Sequence, residues 1–490
     1  MPVSLYYADL AWLGTGAPAV RPGEDDVTAR PGDEIARRGD ESARPGWDRV
    51  VSGVVIEVAD GRITAVRTGV PAPPPGAVHL RGLTLPGLAN AHSHAFHRAL
   101  RGRTQRERGT FWTWRRQMYE VAGRLTPENH HALARAAYAE MALAGVTCVG
   151  EFHYLHHDAG GRPYQAANAM GEALIAAAAD AGIRITLLDT CYLRGGFAAP
   201  LEGPQLRFGD GDAHAWAERA DALKGGGQAR IGAAIHSVRA VPAGELAVVS
   251  GWARERGAPL HFHLSEQVAE NEACLAAHGR TPAELLDAHG VLGRNATAVH
   301  ATHLTPGDVT LLGGSGTGVC MCPTTERDLA DGVGPARRLF EAGSPLSLGS
   351  DSNAVVDLFE EARGVELDER LATRERGHWR AAELLRGATS GGHAALGWPD
   401  AGRIEAGAPA DLVAVALDSV RTAGASEDAP LETVVFAATA ADVREVVAGG
   451  RHIVSQGRHL LVDDVPAALA AAVSAVTSPF TLKPSTSERV

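Results

Sequence analysis

Polar residues able to hold a divalent metal recur along this chain at the ends of short apolar runs. His92-Ser93-His94 follows Leu83-Thr84-Leu85-Pro86-Gly87-Leu88, and His263-Leu264-Ser265-Glu266, His300 and Ser350-Asp351-Ser352 come later, each before a loop or helix signal. Imidazoles and carboxylates gathered from several strand ends are the donor set of a catalytic metal site. Side chains two apart on a strand share a face, so His92 and His94 can converge on one point. An isolated pair of this kind could be two hydrogen-bonded structural histidines; the other strand-end groups favour the metal. His261 and His263 repeat the spacing. Glu266 lies three beyond His263, past the strand end and within reach of a water on the metal. His263 therefore takes the ligand role, and His261, one pleat deeper, reads as a satisfied core histidine. His300 fits the inward parity of its strand if Ala298 and Thr302 share its face, whereas His303 falls at the loop as a supporting or packing group. Asp351 contributes an oxygen. This nitrogen and oxygen set suits zinc, with iron or manganese as alternatives.

The chemistry follows from the donors. Three imidazoles and a carboxylate can leave a position for water, whose pKa a divalent metal lowers toward ~7. Asp351 can take a hydrogen bond or proton from that water, Glu266 can pass a proton to a leaving nitrogen, and His300 can hold the water or the developing tetrahedral oxygen. Hydrolysis at an sp2 carbon bearing nitrogen is the reaction class such a set supports.

The elements that must position these groups are legible as a repeating pattern. Strand candidates are Leu83–His92, Val146–Phe152, Arg184–Tyr192, Arg230–His236, Pro259–Leu264, Ala296–His303, Gly318–Pro323 and Pro345–Ser350, separated by helical patterns. One helix is well signalled: Thr126 suits the N-cap, Pro127 the first turn, and an Ala-rich run reaches Ala144 before Gly145. Eight strands alternating with helices imply an α/β fold, a (β/α)8 TIM-like barrel over residues 83–400. Runs at Leu5–Leu13 and Val50–Val66, with later ones near Val434, Val443–Val447 and His452–Val454, suggest a small β-sandwich domain. It would be built from both chain ends, residues 1–82 and 401–477, with the barrel inserted between its halves. The Arg-, Asp-, Glu-, Gly- and Pro-rich stretch Gly14–Trp47 reads as a flexible insertion, and 478–490 as a loose tail.

Bulk properties agree. The chain has 490 residues, 45% hydrophobic and 21% charged, room for a large barrel with an accessory domain. A net charge of −12 argues against a nucleic-acid partner. No apolar run reaches the ~18–20 residues of a membrane span, and the start lacks the basic residues of a signal peptide. The five cysteines sit mostly in apolar runs, and Cys320-Met321-Cys322 has no second pair to complete a metal site. Buried free thiols in a reducing cytoplasm are the expectation.

With these residues in place, the chain resembles the amidohydrolase superfamily, in its deaminase branch with one metal. Pro86-Gly87-Leu88 to His94, His263-x-x-Glu266, His300 and Ser350-Asp351-Ser352 match its barrel motifs in order, and Gly402 to Val413 resembles the return into its small β-domain. The resemblance implies zinc on His92, His94, His263 and Asp351, proton transfer by Glu266, and contact of His300 with the hydrolytic water. It also implies a homodimer. Finer stretches resemble the members that release ammonia from the amidine of a linear dicarboxylate. These are His92-Ser93-His94-Ala95-Phe96, Phe111-Trp112-Thr113-Trp114-Arg115, Glu151-Phe152-His153-Tyr154-Leu155-His156-His157-Asp158 and His236-Ser237-Val238-Arg239-Ala240-Val241. Arg115, Tyr154, His236 and Arg239 would then hold the substrate carboxylates. His97 stands where the pattern carries glutamine, and can still donate a hydrogen bond to a carboxylate.

A dicarboxylate needs fixed cationic donors, and arginine supplies a bidentate fork. Seven arginines lie between Arg98 and Arg116. Most read as a solvated loop; Arg115 differs because Phe111, Trp112 and Trp114 would pack around it. Two other readings compete. A deaminase acting on an aromatic amine or nucleobase would gain little from the Arg115 and Arg239 pair. A non-catalytic metal scaffold would have no use for a free Glu266 beside an open coordination position.

Overall fold

Two eight-stranded sheets organise the protein, one closing into a barrel and the other assembled from the two ends of the chain. The computed structural model describes residues 3–14, 49–106, 108–109, 111–426 and 428–477, excepting the side chains of Phe111 and Trp112. The strands before the barrel are β1 (Ser4–Trp12), β2 (Val50–Ala59), β3 (Arg62–Arg67) and β4 (Val78–Pro86). The barrel follows as β5 (Leu88–Ser93), β6 (Val146–His153), β7 (Arg184–Cys191), β8 (Ala229–Ile235), β9 (Leu260–Leu264), β10 (Ala296–His300), β11 (Gly318–Met321) and β12 (Leu346–Leu348). The chain then returns through β13 (Leu412–Val415), β14 (Val443–Ala448), β15 (Arg451–Ser455) and β16 (Arg458–His459).

The barrel strands run in sequence order, all parallel, each to the next. The seam between β12 and β5 is closed by a parallel bridge of Ser93 with Asp351. Helices cover the outside, so barrel strands are buried on both faces: every residue of β6 and of β7 is buried. The helix Pro127–Leu143 forms where its signals place it. Thr126 Oγ1 accepts the Asn129 amide at 3.4 Å, and Asn129 Oδ1 accepts the Thr126 amide at 2.7 Å.

In the second sheet, β13 of the returning chain pairs antiparallel with β4, which lies parallel to β1, so both ends share one layer of hydrogen bonds. The junction with the barrel is tight. A Cβ on Gly87, between β4 and β5, would fall 2.3 Å from Thr147 Oγ1 and 2.6 Å from Asp411 Cβ, so only glycine fits. Beside it a buried Arg184–Asp411 pair joins β7 to the residue before β13, with Arg184 Nη1 donating to Asp411 Oδ1 at 2.9 Å.

Three element expectations are corrected. Leu83–Pro86 does not begin the first barrel strand; it ends β4 of the other sheet, and the barrel starts at Leu88. The run near Val434 is a helix, Pro430–Phe436, opened by proline; a short buried apolar run has no periodicity to separate strand from helix. The sixth barrel strand stops at His300, short of His303, because His300 and Ala301 turn into the left-handed region with φ of 67° and 51°. The insertion from residue 15 and the tail 478–490 lie outside the described residues.

Candidate active site

Backbone pairing at the barrel seam places the first three candidate ligands. Asp351 N–H donates to the His92 carbonyl at 2.9 Å, and His94 N–H donates to the Asp351 carbonyl at 3.0 Å. Two asparagines that the sequence reading passed over lock this seam. Asn90 Nδ2 donates to Ser350 Oγ at 2.7 Å while its Oδ1 accepts the Ser350 amide, and Asn353 Nδ2 donates to the His94 carbonyl at 3.0 Å. Asp351 itself sits at a φ of 41°, a strained conformation for a residue with a side chain.

Four side chains then meet. His92 Nε2 and His94 Nε2 lie 3.2 and 3.3 Å from Asp351 Oδ1, and His92 Nε2 lies 3.2 Å from His263 Nε2. All four donor atoms fall within 4.8 Å of one another, and all four residues are buried. Two rings are aimed by carbonyls: His94 Nδ1 donates to the Phe152 carbonyl at 3.0 Å, and His263 Nδ1 to the His236 carbonyl at 2.9 Å. A carbonyl can only accept, so Nδ1 carries the proton and Nε2 turns its lone pair inward. Burial holds His92 neutral, lowering its pKa to about 3, and pushes His94 well below the ordinary imidazole range. Burial would raise the Asp351 carboxyl, but its hydrogen bond with His92 and the neighbouring imidazoles outweigh this and keep it well below the usual carboxylate range. Neutral imidazoles beside an ionised carboxylate are the donor chemistry of a divalent cation site.

Two further groups face the cluster. Ser265, at a φ of 50°, turns the chain so that Glu266 enters the cavity above the four donors. His300 Nε2 lies 4.0 Å from Glu266 Oε1 and 4.0 Å from Asp351 Oδ2. Behind His300 is a buried carboxylate with no strand-end signal in the sequence: Glu326 Oε1 lies 3.3 Å from His300 Nδ1 and accepts the Cys322 amide at 2.9 Å. Burial opposes a charge on His300, but Glu326, Glu266 and Asp351 overcome it and raise its pKa well above the imidazole value.

The remaining candidates line the same cavity. His97, Arg115, Tyr154, His236 and Arg239 all reach it. His97 Nε2 and Tyr154 OH are 3.0 Å apart. Arg239 Nε lies 3.4 Å from the buried Glu270 Oε1. Arg115 is directed by Tyr119: its Nε donates to the Tyr119 hydroxyl at 2.7 Å and its guanidinium lies 5.2 Å from that ring's centroid. The proposed packing of Phe111 and Trp112 around it falls on side chains outside the described residues. His261 is only half satisfied: Nε2 donates to the Ala395 carbonyl at 2.9 Å, away from the four clustered donors, while its buried Nδ1 has no hydrogen-bond partner among the described residues. His303 does not line the cavity. Cys320 and Cys322 pack fully buried with Ala91 and Val299.

Comparison with known proteins agrees with this geometry. Residues 83–453 match the family model described as "Amidohydrolase family". The chain is 36% identical over 428 residues to a formimidoylglutamate deiminase of Pseudomonas aeruginosa, an alignment spanning 84% of this chain and 93% of that protein. An amidohydrolase crystal structure from Brucella melitensis superposes with a TM-score of 0.83 at 32% identity, covering 96% of this chain and 99% of that one. An adenosine deaminase structure from Xanthomonas campestris with bound zinc superposes with a TM-score of 0.75 at 25% identity, covering 96% and 97%.

Proposed function

The chain belongs to the amidohydrolase family, and from that premise we propose that it hydrolyses N-formimino-L-glutamate to N-formyl-L-glutamate and ammonia. The observation that carries this reading is the pairing of two arginines, Arg115 and Arg239, with the His92, His94, His263 and Asp351 cluster in one cavity. Its curated relative from Pseudomonas aeruginosa carries the same activity in its name.

Zinc held by His92, His94, His263 and Asp351 would supply the Lewis acidity that makes a water nucleophilic near neutral pH. Glu266 takes one proton from the attacking water and returns it to the leaving nitrogen, and Asp351 accepts the second proton, which reaches the same nitrogen before it departs. As the carbon–oxygen bond forms and the carbon–nitrogen bond breaks, both hydrogens of the water end on that nitrogen, which departs as ammonia. His300, held by Glu326, donates to the oxygen that gains charge at the tetrahedral stage. Arg115 and Arg239 fix the two carboxylates, with His97, Tyr154 and His236 as further donors. Fixing both ends of a flexible substrate brings its amidine carbon to the water as an effectively intramolecular step.

A second reading rests on Trp114, Tyr119, Tyr154, Tyr192 and Phe208, aromatic walls that could also enclose a nucleobase. Two guanidinium groups lining the cavity suit a ligand with two carboxylates better than a neutral ring, which favours the dicarboxylate. Ammonia release from formiminoglutamate, formiminoaspartate and guanine tests the choice. Turnover of guanine alone would sink the proposal. The reading also places the enzyme in histidine degradation, as a cytoplasmic homodimer; no described helix is long and apolar enough to cross a membrane.

A further inference from the structure

The segment after β7 packs against the helix Phe111–Ala122 that carries Arg115. At its centre is a one-turn helix, Gly203–Arg207. Gln205 is 6% exposed and does not line the cavity, yet its amide joins two residues that do. Its Nε2 donates to the Tyr119 hydroxyl at 3.0 Å and to the Tyr192 hydroxyl at 3.2 Å, while its Oε1 accepts the Glu202 amide at 3.3 Å. The Glu202 bond fixes which end of the amide is oxygen, so both amide hydrogens are committed to the two phenols.

Each phenol in turn sets one proposed carboxylate donor. The Tyr119 hydroxyl accepts from Arg115 Nε at 2.7 Å. The Tyr192 ring meets the His236 ring edge-on with centroids 4.4 Å apart. Two residues on, the buried Arg207 pins the same helix: it donates to the Ala122 carbonyl, to the Leu125 carbonyl at 2.7 Å and to the His157 carbonyl at 2.8 Å. The helix end is therefore fixed through its backbone and its arginine through a side-chain relay, both from one short segment.

We propose that Gln205 is a positioning residue which, through Tyr119 and Tyr192, holds Arg115 and His236 in register as the two halves of a carboxylate-binding wall. This rests on the reading of a dicarboxylate substrate. Gln205 touches no substrate atom. It acts on ground-state binding, and so on KM rather than on kcat.

Gln205→Met keeps the volume and removes both donors. KM for formiminoglutamate should rise roughly tenfold, in line with the loss of about two neutral hydrogen bonds, while kcat stays within about twofold. Binding of N-formyl-L-glutamate, followed by calorimetry, should weaken by the same factor. In an Arg115→Ala background the same substitution should raise KM by clearly less than about tenfold, because only the Tyr192–His236 arm remains for Gln205 to act through. Tyr119→Phe removes the shared acceptor and should reproduce the KM effect if Gln205→Met folds poorly. Wild-type protein that leaves formiminoglutamate intact would overturn the substrate reading and this inference together. Active wild type with an unshifted KM in Gln205→Met and Tyr119→Phe, or full additivity with Arg115→Ala, would overturn this inference alone.

Discussion

His300 and Glu326 form a buried pair, with imidazole Nδ1 3.3 Å from the carboxylate oxygen, which turns the opposite nitrogen toward Asp351 and Glu266. Glu326 also accepts the Cys322 amide, so its own position is fixed by the backbone that follows β11. Glu326→Gln should lower kcat by about 10–100-fold, the range found when a supporting partner of an active-site histidine is removed. Metal content should be unchanged, since Glu326 is not among the four clustered donors. Steady-state kinetics with metal analysis checks this; a wild-type kcat would show that His300 needs no partner.

Glu266 lines the cavity but is not one of the four clustered donors, which suits the proposed proton transfer. Glu266→Gln should retain zinc at one per chain and lose about 10²–10⁴-fold in kcat, the usual contribution of a positioned acid–base group. Substantial residual turnover in a zinc-loaded variant would remove it from the proton path.

Arg239 should matter for binding. Arg239→Ala should raise KM for formiminoglutamate by about 30-fold or more, corresponding to the roughly 2–3 kcal/mol of a charge-assisted hydrogen bond. Glu270, buried and 3.4 Å away, loses its cation in that variant, so Arg239→Ala/Glu270→Gln is the matched control for stability. An unchanged KM would place the carboxylate elsewhere.

Chelation should abolish activity and zinc should restore it. Because the four donors come from three separate places, β5 and the residue after it, β9, and the loop after β12, metal binding should also raise the melting temperature. Stripped protein with the same melting temperature and full activity would refute a metal centre.

The Arg184–Asp411 pair sets a pH limit on stability. Burial alone would raise the Asp411 carboxyl, but Arg184 outweighs it and leaves the pKa below the ordinary value. A carboxyl depressed in the folded state stabilises above its unfolded pKa of about 3.9, and that contribution is lost as pH falls through the folded pKa. Asp411→Asn leaves Arg184 buried without its anion and should cost about 3–5 kcal/mol near neutral pH. It should also flatten the acid limb of stability against pH. Denaturant melts between pH 3 and pH 7 check both; parallel acid limbs for the two proteins would deny the pair this role.

Much of the site was readable before folding because its chemistry is coded by residue type at strand ends. His92, His94, His263, Glu266, His300 and Asp351 all announce themselves that way, and all reach one cavity or the cluster beneath it. The fold class was readable for a similar reason: strand and helix periods alternate along the barrel region. The misplacements came where local pattern is ambiguous. Leu83–Pro86 and Leu88–Ser93 form one apolar run in sequence, and only the pairing of β4 with β1 and β13 separates them. Val434 sits in a run too short to show its period.

The sequence by itself determined which residue types gather at strand ends and how the strands and helices alternate, since periodicity and metal-donor chemistry are local properties. The tertiary structure alone decided that Asn90 and Asn353 lock the seam, that Glu326 backs His300, and that Gln205 and Tyr119 direct Arg115. Those partners are buried polar groups whose hydrogen bonds must be met inside the protein. Which group meets which depends on segments far apart in the chain, and no local pattern records it.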